Sequence, residues 1–227
     1  MAVLFCLAAA GAMTGAASPE APADWLALAD PPANLAPTPA MQRACIEAQS
    51  SSCQRAVVAA IDQARAPEGL GPIRLPSDYS SLGSRSQLLV LADLERVDRG
   101  LPGFSGLSSG LDGLAQDAAL SSTDPVGPAD STWGSNWAGG EASALAADYD
   151  WMYNDGLGSP NIDCASSGAS GCWDHRHNVL GNYGRTPSMG AAATMVGGVT
   201  SMTELFSSLS PGTLDCSLSS ALPVTHS

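Results

Sequence analysis

RSQLLVLADLERVDRG, residues 85–100, carries the clearest periodic signal in the chain, and the fold is read outward from it. Leu88, Leu91, Leu94 and Val97 recur every third residue and so share one side of a helix. Ser84, with Gln87 three residues later, forms a capping-box pattern at its start, and Gly100 and Pro102 stop it. A helix with one apolar side needs an apolar partner, so this stretch calls for a layered domain.

Toward the C-terminus, residues 108–120 give a second, shorter helix through Leu111, Leu114, Ala115 and Ala118. Residues 141–154 give a third, with Leu145, Tyr149 and Met152 on one face and Trp151 on another. SMGAAATMVGGVT, residues 188–200, supplies one small-residue strand between Gly190 and Val199. Residues 66–79, 122–140 and 155–172 are rich in Gly, Pro, Ser and Asp and read as loops. The expected core is Leu88, Leu91, Leu94, Leu111, Leu114, Leu145, Trp151, Met152, Val179, Leu180 and Met189.

Toward the N-terminus, residues 41–65 suit an amphipathic helix broken at the serines 50–52. Residues 19–40 contain six prolines and read as an extended, exposed leader. Residues 1–18 combine the apolar run AVLFCLAAAGAM with small residues, which suits a secretory signal, although no Lys or Arg precedes the run. No other stretch is apolar enough to span a bilayer, so the exported chain is expected to have no transmembrane segment.

The formal net charge is −13, from 22 acidic residues against nine arginines and no lysine. Such a surface repels phosphate backbones and anionic lipid, so a nucleic-acid partner is not expected. Beyond the signal the cysteines are Cys45, Cys53, Cys164, Cys172 and Cys216. The two close pairs read as local disulfides of an oxidising compartment, with Cys216 left over. In a continuous helix Cys45 and Cys53 would stand about 12 Å apart, too far to bridge. Either the helix breaks between them or they pair elsewhere.

Two of the three histidines sit in Asp174-His175-Arg176-His177-Asn178. On a helix alternate positions lie about 200° apart, so His175 and His177 do not share one small ion; one lines a pocket while the other meets solvent. Glu141, Asp148, Asp150 and Asp155 are carboxylates able to face a cleft, although Asp148 and Asp155 also fit an exposed charged stripe. There is no Gly-rich phosphate loop, HExxH motif or nucleophile elbow.

Residues 91–119, 134–156 and 172–193 together resemble the bacterial form of the CAP superfamily, which comprises cysteine-rich secretory proteins, antigen 5 and plant pathogenesis-related proteins. Asp93, Arg96, Gly100 and Leu101 resemble the family's opening helix and Gly-Leu stretch, with Asp93 where Asn is common. Gly134-Ser135-Asn136 resembles its Gly-Glu-Asn, Trp151 its helical Trp, and His175-Arg176-His177-Asn178-Val179-Leu180 its His-Arg-x-Asn-Ile-Leu. Met189 and Gly190 resemble the start of its central strand.

The resemblance implies an α+β fold, a three-layer α-β-α sandwich with a small antiparallel sheet over residues 84–227, preceded by a helical segment and loop at 41–83. The family's cleft gathers two histidines and two acidic residues, sometimes around a divalent ion. Here His175 resembles one of these histidines, Ser135 replaces one Glu, and Asn154 stands near the other. Glu141 is the nearest substitute carboxylate, and neither metal nor cofactor is expected. The implied function is a secreted, non-catalytic envelope or extracellular module. Its ligand contacts are Asn136, His175 and Asn178, and its partner is a small polar or lipid-like ligand or a cell-wall component. The rival is a wall-directed hydrolase with His175 and Glu141 as catalytic residues. A third reading is a structural secreted protein.

Overall fold

The computed structural model describes residues 30–31, 33–45, 50–155 and 173–215. The expected signal segment, the Cys164–Cys172 pair and Cys216 lie outside the described residues.

The 41–65 region forms two helices, α1 (Pro39–Ala44) and α2 (Ser51–Arg65). Thr38 caps the first, its Oγ1 accepting the Met41 N–H at 3.1 Å, and Ser50 caps the second by accepting the Cys53 N–H at 3.2 Å. Serine and threonine win such positions because their oxygens satisfy amides that lack a partner inside the helix. The break brings the Cys45 and Cys53 Cα atoms to 4.5 Å, and the two are disulfide-bonded. Closing this short loop restricts the unfolded chain by about 2.5 kcal/mol. The double variant Cys45→Ser/Cys53→Ser is therefore expected to lose about 2 kcal/mol in urea unfolding. An unchanged midpoint would mean that packing of α1 on α2 suffices without the bridge.

The described residues also form α3 (Ser84–Val97), β1 (Leu107–Ser108), α4 (Ser109–Ser121), β2 (Trp133–Gly139), α5 (Ala144–Tyr153), α6 (Asp174–Val179), β3 (Ser188–Val196), β4 (Val199–Ser207) and β5 (Leu214–Asp215). The capping box is not made: Gly83 is the α3 cap residue, and the Gln87 amide donates to the Tyr79 carbonyl instead. The fold is mixed α+β around a five-stranded sheet ordered β2-β4-β3-β1-β5. The sheet is mixed rather than antiparallel as expected, because β1 runs parallel to β3. The single expected strand at 190–199 is in fact a hairpin, β3 and β4, turning at Gly197 and Gly198. Both glycines have positive φ, the conformation a two-residue hairpin turn demands.

Side chains alternate between the two faces of this hairpin. On one face α4 lies so close that a Cβ on Gly190 would stand 2.3 Å from the Leu111 carbonyl carbon. Ala115, Ala119 and Ala192 pack together there, and the Ser201 and Thr203 hydroxyls donate to the Ala119 and Ala115 carbonyls. On the other face Met189, Ala191, Met202 and Phe206 join a large core with Leu88, Leu91, Leu145, Met152 and Val57. The 41–65 region thus shares the core of the rest of the chain. Every expected core residue is buried except Leu114, which is 38% exposed because α4 turns its alanines to the sheet.

The stretch 33–38 runs along α5. The Leu35 N–H donates to the Tyr153 carbonyl at 2.8 Å, and the Tyr149 hydroxyl donates to the Leu35 carbonyl at 2.6 Å. The first of these bonds satisfies a carbonyl that the end of α5 leaves open.

Candidate functional site

Three elements meet at one pocket. Strand β2 is an edge strand whose Asn136 faces the core, and α6 docks across it. The Asn136 amide donates to the His175 carbonyl at 3.2 Å, and the Asn178 amide donates to the Ser135 carbonyl at 2.8 Å and to Asn136 Oδ1 at 3.2 Å. Helix α5 is tied to the same strand through the Trp151 indole N–H, which donates to the Trp137 carbonyl at 3.3 Å. From below, the buried Arg96 guanidinium holds the end of α6 by donating to the Val179 and Gly181 carbonyls at 2.7 and 2.8 Å.

The pocket has a volume of about 60 Å³. Ala138, Gly139 and Trp151 line it together with Glu141, Asp150, Asn154, Asp155 and His175. By size it has room for a few water molecules or for the end of one larger group.

His175 Nδ1 lies 2.5 Å from Asp155 Oδ1, and the His175 backbone N–H donates to Asp155 Oδ2 at 3.2 Å. Burial works against the charged ring, but the Asp155 hydrogen bond and the charges of Asp155, Asp124 and Asp174 outweigh it. The imidazole is therefore raised above its ordinary pKa. In the same lining, Glu141 is hydrogen-bonded to Asp150, and burial together with the Asp150 charge pushes it up to about 8. Asp150 is itself raised by burial, and it accepts the Asn154 amide at 3.0 Å. Two close, partly buried carboxyls resist ionising together, so Glu141 keeps its proton at neutral pH.

Glu141 and His175, the expected catalytic residues, thus line one pocket. Of the expected ligand contacts only His175 lines it; Asn136 and Asn178 lie off the lining and hold β2 to α6. His177 points the other way, 56% exposed, with Nε2 2.8 Å from Asp30 Oδ1. Asp150 and Asp155 join the pocket. Asp148 is buried instead of forming an exposed stripe with Asp155, and its Oδ2 has no hydrogen-bond partner among the described residues.

Sequence reasoning missed the ion network beneath the pocket. Glu95 receives Arg65, Arg99 and the Tyr153 hydroxyl, and Glu68 receives Arg99 and Arg176. The i,i+4 spacing of Glu95 and Arg99 was its one local signal. Among the described residues no group of three or more His, Cys, Asp and Glu is arranged to hold a metal ion.

Compared with protein-family models, curated proteins and solved structures, the chain finds no match.

Proposed function

We propose that the chain is an exported domain of CAP type, an α-β-α sandwich, whose pocket at His175 binds a small polar ligand in the envelope or extracellular space. The observation that carries this reading is the pocket itself, lined by both a histidine-carboxylate pair and a hydrogen-bonded carboxyl pair. Support for the fold comes from α4 on one sheet face and α3 and α6 toward the other, in the order the resemblance implies. The Cys45–Cys53 disulfide suits an oxidising compartment, as does the apolar run at 1–17. Among the described residues no helix is long and apolar enough to cross a membrane.

A fragment screen by NMR, following the Trp151 indole and His175 ring signals, tests this. Polar fragments are expected to shift both signals together. His175→Ala is expected to weaken the best of them by about tenfold or more, with the melting temperature changed by no more than about 3 °C. Silence from every fragment at millimolar concentration would sink the proposal.

The hydrolase reading is favoured by one observation: His175, oriented by Asp155, lines the same cavity as a Glu141 that keeps its proton to about pH 8. A base and an acid facing one cavity are what general acid-base hydrolysis uses. On wall glycan or peptide fragments, Glu141→Gln is then expected to cut turnover by about 100-fold while leaving substrate binding nearly unchanged. Wild-type protein without turnover would leave the binding reading alone.

A further inference from the structure

The pocket is lined by two kinds of group. Ala138, Gly139 and Trp151 are apolar, and the Trp151 N–H is engaged by the Trp137 carbonyl. Glu141 and Asp150 present acceptors, with Asn154 bound to Asp150. None of the nine arginines lines the cavity, and the sequence has no lysine. Three carboxyl groups, Glu141, Asp150 and Asp155, line the cavity against one histidine, and Asp124 and Asp174 add negative charge near that ring. An anion would be repelled, and a neutral ligand would leave the buried charge uncompensated. The acidic groups and His175 do not converge on a point as ligands to a metal ion do. A small cavity lined by both carboxyl acceptors and hydrocarbon matches several N–H donors carried on an alkyl stem.

We infer that the pocket takes the end of a primary alkylammonium, either a lysine-type side chain or a small free amine, with the ammonium at Glu141 and Asp150 and the stem against Trp151. This rests on the reading of the pocket as a ligand site and names the ligand's class. The ammonium replaces the shared proton between the two carboxyls, so one proton leaves as the cation binds. Affinity accordingly rises with pH.

The test titrates the whole protein with n-butylammonium, with N-acetyl-lysine methylamide, and with 1-butanol as the neutral counterpart, following the Trp151 and His175 signals. Both amines are expected to bind on the order of tenfold or more tighter at about pH 8.5 than at about pH 6, with 1-butanol on the order of tenfold weaker than butylammonium at the higher pH. Glu141→Gln fixes the pair at a single negative charge, so its amine affinity is expected to stay near the value at about pH 6 across that range. Equal binding of 1-butanol and butylammonium overturns the inference, as does amine binding that ignores pH. If neutral fragments move both signals and the amines do not, the ammonium class is wrong and the site reading stands. If nothing moves them, both fail.

Discussion

Glu95→Ala is expected to destabilise the protein by about 3–5 kcal/mol, because it removes one partner from a buried charge cluster and leaves the others uncompensated. The Glu95 side chain is fully buried and accepts from Arg65 Nη1 at 2.9 Å, from Arg99, and from the Tyr153 hydroxyl at 3.0 Å. Arg65 and Arg99 are buried as well, one the last residue of α2 and the other just beyond α3. The urea midpoint is expected to fall by about 2 M. Glu95→Gln, which keeps the shape and one acceptor, is expected to lose less. A loss below about 1 kcal/mol for the alanine variant would mean that the network is open to water and contributes as a surface ion pair does.

Asp93→Asn is expected to stabilise the protein at alkaline pH. Asp93 is 2% exposed, and its Oδ1 accepts the Phe104 N–H at 2.6 Å. Burial pushes its carboxyl up to about 7, against the partly offsetting Phe104 hydrogen bond and Arg96 charge. The folded state therefore binds this proton more tightly than the unfolded chain does. The stability so gained is complete below the unfolded value near 4 and is lost as pH rises through about 7. Glu141, raised to about 8, and Asp148 and Glu204, which burial raises well above the usual carboxylate range, titrate with the same sign. Glu68, lowered by Arg99 and Arg176 despite its burial, has the opposite sign and is lost only in stronger acid.

The parent protein is thus expected to be more stable at about pH 5 than at about pH 8. Asparagine keeps the Phe104 acceptor without the charge. The variant should exceed the parent by about 2–4 kcal/mol at about pH 8 and lose most of that advantage at about pH 5. Denaturant unfolding at the two values measures both numbers. A gain independent of pH would show that Asp93 is ionised throughout.

Much of this architecture could be read locally. The three-residue leucine spacing at 88–97 places α3, and Ser50 with its neighbours marks the break that lets Cys45 meet Cys53. The Gly197-Gly198 pair was also a legible hairpin signal, set between two strand-length runs. Strand β2 was not legible: WGSNWAG has few strongly strand-forming residues, and its extended form depends on pairing with β4 along its length. Asn136 and Asn178 looked like ligand contacts because polar residues beside a candidate histidine suggest a cleft, whereas here they satisfy backbone and side-chain groups where α6 meets the strand.

Taken alone, then, the sequence determined helices α2 to α5, the helix break at 50–52 and the residue types available for chemistry, because periodicity and turn residues act over a few positions. Which of those residues face one another was decided only by tertiary structure. Asp155 reaches His175 across 20 positions and Glu141 meets Asp150 because β2, α5 and α6 dock through buried indole, amide and guanidinium bonds. No local pattern encodes such pairings. The shared proton of the carboxyl pair and the raised histidine exist only once that docking has excluded water.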